Sequence, residues 1–130
     1  MPRIVNPQII TAYTAEGAAT QYQAVGIGTA DTQVDCTPAA NAQCLGIAFG
    51  SALDTEQVDV VTTGAFIGIA AGAIARGAHV RIAGVSGQLE AVTPAAPGAT
   101  VNNIVGIALE AAAGAGEEFS LLIQPAIVQS

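Results

Sequence analysis

The chain has 130 residues, 52% of them hydrophobic but only 4% aromatic, and its three arginines face ten carboxylates for a net charge of −7. That length holds one domain, and the charge excludes a nucleic-acid binder, which needs clustered Lys and Arg against phosphates, as well as attachment to an anionic membrane. With 28 alanines, the apolar fraction buries little area per side chain at about 25 cal/mol per Å², so burial between subunits around a closed symmetry axis is expected to supplement a thin core.

Met1-Pro2-Arg3-Ile4-Val5-Asn6-Pro7 is broken by two prolines before any apolar run forms, so no signal peptide is expected and the chain reads as made in the cytoplasm. The same prolines block helix and remove backbone donors, which predicts an extended arm. Residues 1–15 are read as this arm and a first strand, and residues 16–130 as a single β domain. Ile4, Val5, Ile9 and Ile10 could pack the arm on its own domain or along a neighbour's sheet edge, and spacing does not separate the two. From Ile9 the pattern is strand-like, with Gly17 ending it. Residues 23–28 and a segment ending at Cys36 read as strands around a turn at Thr29-Ala30-Asp31, residues 37–43 as a loop, and residues 44–49 as a buried strand. Gly50 to Gln57 reads as a turn, and Val58, Val60 and Val61 resume a strand that stops before Thr62-Thr63-Gly64. Val-rich runs bounded by Gly, Asp and Thr favour strand over helix.

Residues 65–77 form the longest apolar run, twelve residues from Gly64 before Arg76 interrupts it, against the roughly 18 needed to cross a bilayer. Gly68, Gly72 and Gly77 each disfavour helix by about 1 kcal/mol relative to Ala, so a strand through Ala70 and then a turn is preferred. Next come strands at residues 79–83 and 88–93 around the turn Gly84-Val85-Ser86-Gly87, a loop at 94–103, a buried strand at 104–109, a turn across 111–116, a last strand at 117–123, and an extended tail from Pro125.

Two stretches match. Leu45-Gly46-Ile47-Ala48-Phe49 returns as Val105-Gly106-Ile107-Ala108-Leu109, and Thr37-Pro38-Ala39-Ala40 returns as Thr93-Pro94-Ala95-Ala96. The offsets are 56 for the Thr-Pro pair, 60 for the glycine and 61 between Val58 and Phe119, differences that loops absorb at little cost. Two related halves, about 21–64 and 76–125, are expected, with chance similarity among small residues as the competing explanation.

The search for chemistry returns structural explanations. Gly84-Val85-Ser86-Gly87 lacks the glycine that a nucleophile elbow needs at position 88, which is Gln88. Gly26-Ile27-Gly28 lacks the third glycine of a dinucleotide fingerprint, and without lysine there is no phosphate-binding loop. His79 is the single histidine and reads as a surface or interface residue near Arg76 and Arg81. Cys36 and Cys44 bracket one loop; two buried thiols are expected, with a disulfide formed in an oxidising medium as the alternative, and they do not complete a zinc site. Asp54, Glu56 and Asp59, and later Glu117-Glu118, read as solvated turns rather than calcium loops. No catalytic residue, metal or cofactor is expected.

Ala71-Gly72, Ile74, Gly77, Val80, the Ser86-Gly87 turn, Val105 to Leu109 and the acidic-then-apolar run from Gly116 to Ile123 together resemble the capsid decoration, or cement, proteins of tailed bacteriophages. The likeness covers about residues 65–125 well and the first half more loosely; the family's usual Gly-Asp before strands is Ala78 and Glu117 here. The resemblance implies a mainly β, tulip-like barrel or sandwich with little or no helix, a homotrimer, and a place on the outside of the virion. There such proteins clamp seams between major capsid protein subunits after the shell expands, with no reaction to perform. On that reading the arm, through Arg3, Ile4, Val5, Ile9 and Ile10, contacts the capsid. A non-enzymatic spike or tail component is the nearest alternative, and a small hydrolase a more distant one.

Overall fold

The computed structural model describes residues 5–84, 87–92 and 101–129. None of these is helical. Nine strands follow in chain order: β1 (Asn6–Glu16), β2 (Ala24–Ile27), β3 (Gln33–Asp35), β4 (Cys44–Ala48), β5 (Gln57–Ile69), β6 (His79–Ile82), β7 (Leu89–Ala91), β8 (Val101–Ala108) and β9 (Glu118–Gln129). They form one sheet in the order β1-β3-β2-β4-β5-β9-β8-β6-β7, and a further pairing of β1 with β5 closes the first five into a barrel. The barrel is mixed, because β1 runs parallel to β3 while its other neighbours are antiparallel.

The recurrent Gly-Ile-Ala stretches sit on β4 and β8, and the glycine in each is dictated by a neighbouring backbone. A Cβ at Gly46 would fall on the Val61 carbonyl oxygen of β5, and one at Gly106 on the Leu122 carbonyl oxygen of β9. In both strands the close approach of a neighbouring backbone leaves room for glycine and not for a side chain.

The four outer strands repeat the pairing of the inner ones. Gly26↔Asp35 and Ile27↔Val34 join β2 to β3, and Arg81↔Glu90 and Ile82↔Leu89 join β6 to β7, with both partners moved by the same 55 positions. The β2–β4 ladder has a bulge after Val25 opposite Gly46, and the β6–β8 ladder has one after Val80 opposite Gly106. Ile47↔Val61 corresponds to Ile107↔Leu122. The parallel pair Ala15↔Val34 corresponds to the parallel bridge Ala70↔Leu89, which brings β7 back to the end of β5. The second half of β5 therefore does for the outer strands what β1 does for the barrel, and a second, more open ring shares β5 with the first.

The interiors correspond as well. Ala15, Val25, Val34, Ala48, Val58 and Val60 pack together inside the barrel. Their counterparts Ala70, Val80, Leu89, Ala108, Phe119 and Leu121 fill the second ring, in a cluster that runs on to the wall shared with the barrel. Three connections tie the rings together: Asn41 N donates to the Ile82 carbonyl at 2.8 Å, Ala24 N donates to the Gly87 carbonyl at 2.9 Å, and the Asn103 side chain and amide both bond Asn41.

Three elements are longer than their local sequence suggests. β5 runs unbroken through Thr62-Thr63-Gly64, where a stop is expected, because at Gly64 β1 holds one edge through Pro7 and β9 the other through Ile123. β9 continues past Pro125 alongside β8, which itself begins at Val101 and not at Ile104. Ladder hydrogen bonds from neighbours far away in sequence outweigh the turn propensity of these residues. The turn at Ser86 and the Thr-Pro loop at 93–100 lie outside the described residues.

Candidate functional site

The surface that stands out is β1. It pairs with β5 from Asn6 to Thr14, while its other edge meets β3 only from Thr14 onward, so among the described residues nothing pairs with that edge between Asn6 and Tyr13. Register shifts on either side of Ile9 interrupt the strict alternation of faces, and the consecutive Ile9 and Ile10 are both about half exposed, at 52% and 46%. Val5, just before the strand, is 46% exposed. Of the five residues expected to make contact, Val5, Ile9 and Ile10 thus lie on one exposed stretch, and Arg3 and Ile4 lie outside the described residues. An open strand edge beside unburied isoleucines is a template for strand addition, and this one carries no lysine to blunt it.

Where β1 and β9 leave opposite edges of β5, a shallow groove is lined by Asn6, Gln8, Thr63, Gly64, Leu122 and Gln124. The buried Thr63 hydroxyl finds no partner among the described residues.

The residues screened for chemistry serve the fold instead. Glu56 accepts the Leu53 amide at 2.9 Å, Glu117 the Ala113 amide at 2.7 Å, Asp54 the Gly17 amide at 2.9 Å and Glu110 the Ser120 amide at 2.7 Å. These acidic residues thus satisfy backbone donors, in turns and at Ser120 in β9, that would otherwise need water. Among the described residues no three His, Cys, Asp or Glu side chains gather as metal ligands would. His79 is exposed on β6. Two positions on, Arg81 bonds Glu90 at 2.8 Å and the buried Asn102, so this cation belongs to a packed polar cluster.

Both thiols are free and buried, and they lie in different clusters, Cys36 inside the barrel and Cys44 against the second ring. Burial pushes the Cys44 thiol up to about 12, partly offset by the hydrogen bonds that its sulfur shares with the backbone of Gly46 and Val25. Cys36 is also raised, chiefly by burial. A buried neutral thiol is a poor nucleophile.

Sequence reasoning placed Ile27 and Leu122 inside strands without separating them from the core, yet they are 60% and 36% exposed. Leu122 lies between the buried Leu121 and Ile123, and Ile27 follows three buried residues of β2, so only the absence of a covering element leaves the two exposed.

A family model of phage cement proteins matches residues 5–123. The chain belongs to that family and is a capsid-associated structural protein of a phage virion. Among solved structures, the N base of the head fiber gp8.5 of bacteriophage phi29 is similar over 94% of this chain and 98% of that one, with a TM-score of 0.68 at 18% identity, which shows a shared fold. A search of curated proteins finds no match.

Proposed function

We propose that this cement-family chain binds the outer surface of the expanded capsid as a trimer and clamps seams between major capsid protein subunits through its N-terminal strand. The observation that carries this reading is β1, whose open edge and exposed Val5, Ile9 and Ile10 contrast with a closed, well-filled barrel behind them. Such an edge adds a strand, or receives one, from a partner sheet at low conformational cost. Attachment at many equivalent lattice sites multiplies weak contacts into a tight hold. Carboxylates that cap backbone amides and thiols held neutral fit a part that performs no reaction.

Purified protein mixed with expanded, decoration-free capsids and imaged by electron cryomicroscopy should appear at regular positions on the outside of the shell. A variant lacking residues 2–8 should remain folded by circular dichroism and lose most of that density. Undiminished decoration by the truncated chain would remove residues 2–8 from the contact, and the absence of decoration by the intact chain would overturn the reading itself.

A further inference from the structure

The two rings of this chain do not stack wall to wall. The end of the second ring, formed by Phe66, Ile82, Gly84 and Gly87, sits on the outer wall of the first. Phe66 lies 5.6 Å from the rings of both Tyr22 and Phe49, a Cβ at Gly84 would meet the Ala40 backbone at 2.8 Å, and Gly87 accepts the Ala24 amide. The wall beneath consists of Ala24, Ile47 and Val61, all fully buried.

Each half has the counterpart of the surface that the other half uses. Ile82, fully buried, corresponds to Ile27, 60% exposed; Val61, fully buried, corresponds to Leu122, 36% exposed. Ile47 corresponds to the half-buried Ile107, and Ala24 to the exposed His79. Gly87 and its counterpart Thr32 share a left-handed backbone, with φ of 70° and 68°. The first ring therefore has a free end, and the second ring a free wall, each built to the pattern of a contact already made once inside the chain.

From this we infer that copies of this chain associate head to tail, with the barrel end of one copy (Thr11, Ile27, Thr32) seated on the second-ring wall (His79, Ile107, Leu122) of the next. The internal contact is thus repeated between subunits. Such a contact is heterologous, and it closes into a ring when its rotation divides a full turn. Thr11 and His79 stand where the internal contact has Phe66 and Ala24, which makes the contact between copies the more polar and weaker of the two. The inference deepens the self-association in the proposed function by naming its two faces, and it is tested without capsids, so it can fail or stand independently of capsid attachment.

Sedimentation velocity of the intact chain should show a discrete oligomer. Ile27→Asp and Leu122→Asp should each weaken assembly at least tenfold, whereas Leu53→Asp, at a residue 68% exposed and outside both faces, should leave it unchanged. Because either aspartate variant could fold poorly, a second readout uses the turn. The double variant Thr32→Cys/His79→Cys, mildly oxidised, should form a ladder of disulfide-linked chains up to the size of the ring, and neither single variant should do so. A monomeric wild type, assembly untouched by both aspartates, or single cysteine variants that link to themselves as in a two-fold contact would each overturn the inference.

Discussion

A Cβ at Gly46 would lie 2.7 Å from Val60 Cγ1 as well as on the Val61 carbonyl, and one at Gly106 would lie 2.9 Å from the carbonyl carbon of Leu122. The obstacles are mostly backbone atoms of a neighbouring strand and cannot swing aside. Gly46→Ala and Gly106→Ala should therefore each cost about 3 kcal/mol, at the upper end of ordinary overpacking, as measured by urea unfolding. Gly50 and Gly114 have nothing within 4 Å and no left-handed backbone, so alanine there should shift stability by no more than about 0.5 kcal/mol. The thiols make a second case. Burial raises Cys44 from 9.0 to about 12, so the folded state holds its proton where the unfolded state has lost it. That favours folding below pH 9 relative to higher pH, and the advantage is lost as pH rises from 9 through 12. The urea midpoint should fall across that window, and Cys44→Ala should flatten the fall. Neither thiol should react with a disulfide reagent at pH 8 until the protein is denatured.

At the scale of elements, the two rings solve one packing problem with different volumes. Tyr13 pairs with Val58 across β1 and β5, and the corresponding pair across β5 and β9 is Gly68 with Phe119. One ring places its aromatic on the first strand, the other on the last. The space at Gly68 is already taken, since a methyl group there would sit 2.8 Å from Leu89 Cδ1 and 3.1 Å from Leu121 Cδ2. Gly68→Tyr alone should overpack the second ring, and Phe119→Val alone should leave a cavity. Combined, they copy the barrel's arrangement, and the double variant should be more stable than the sum of the single losses by about 1 kcal/mol or more, the scale of coupling between touching residues. Strict additivity in that cycle would mean that the two positions do not share a volume.

For the whole molecule, the question is how two rings behave as one body. They share β5, one continuous apolar cluster, and the Asn41 clasp, in which a residue with φ of 59° bonds β6 through its own amide and receives two bonds from Asn103. Asn tolerates that left-handed backbone better than other side-chain-bearing residues do. Asn41→Ala loses the side-chain acceptor and keeps the strained backbone, so it should destabilise by about 1–2 kcal/mol. Unfolding should stay a single transition, because the shared strand prevents either ring from opening alone. Distinct transitions for the two halves by calorimetry would show that neither β5 nor the clasp couples them into one unit.

The amino-acid sequence by itself carries the all-β class, the Gly-Ile-Ala strand used twice, the offsets of 60 and 61 positions that reappear as ladder registers, and the likeness to cement proteins. These depend on local alternation and on close backbone approach, and a run such as Val105-Gly106-Ile107 displays both. Tertiary structure alone decides that β5 passes through Thr62-Thr63-Gly64, that Asn6 already belongs to the barrel, and that Ile82 is covered while its counterpart Ile27 is bare. Such outcomes rest on partners distant along the chain, and residues with the same alternation diverge in burial when one half finds a neighbour to pack against and the other does not.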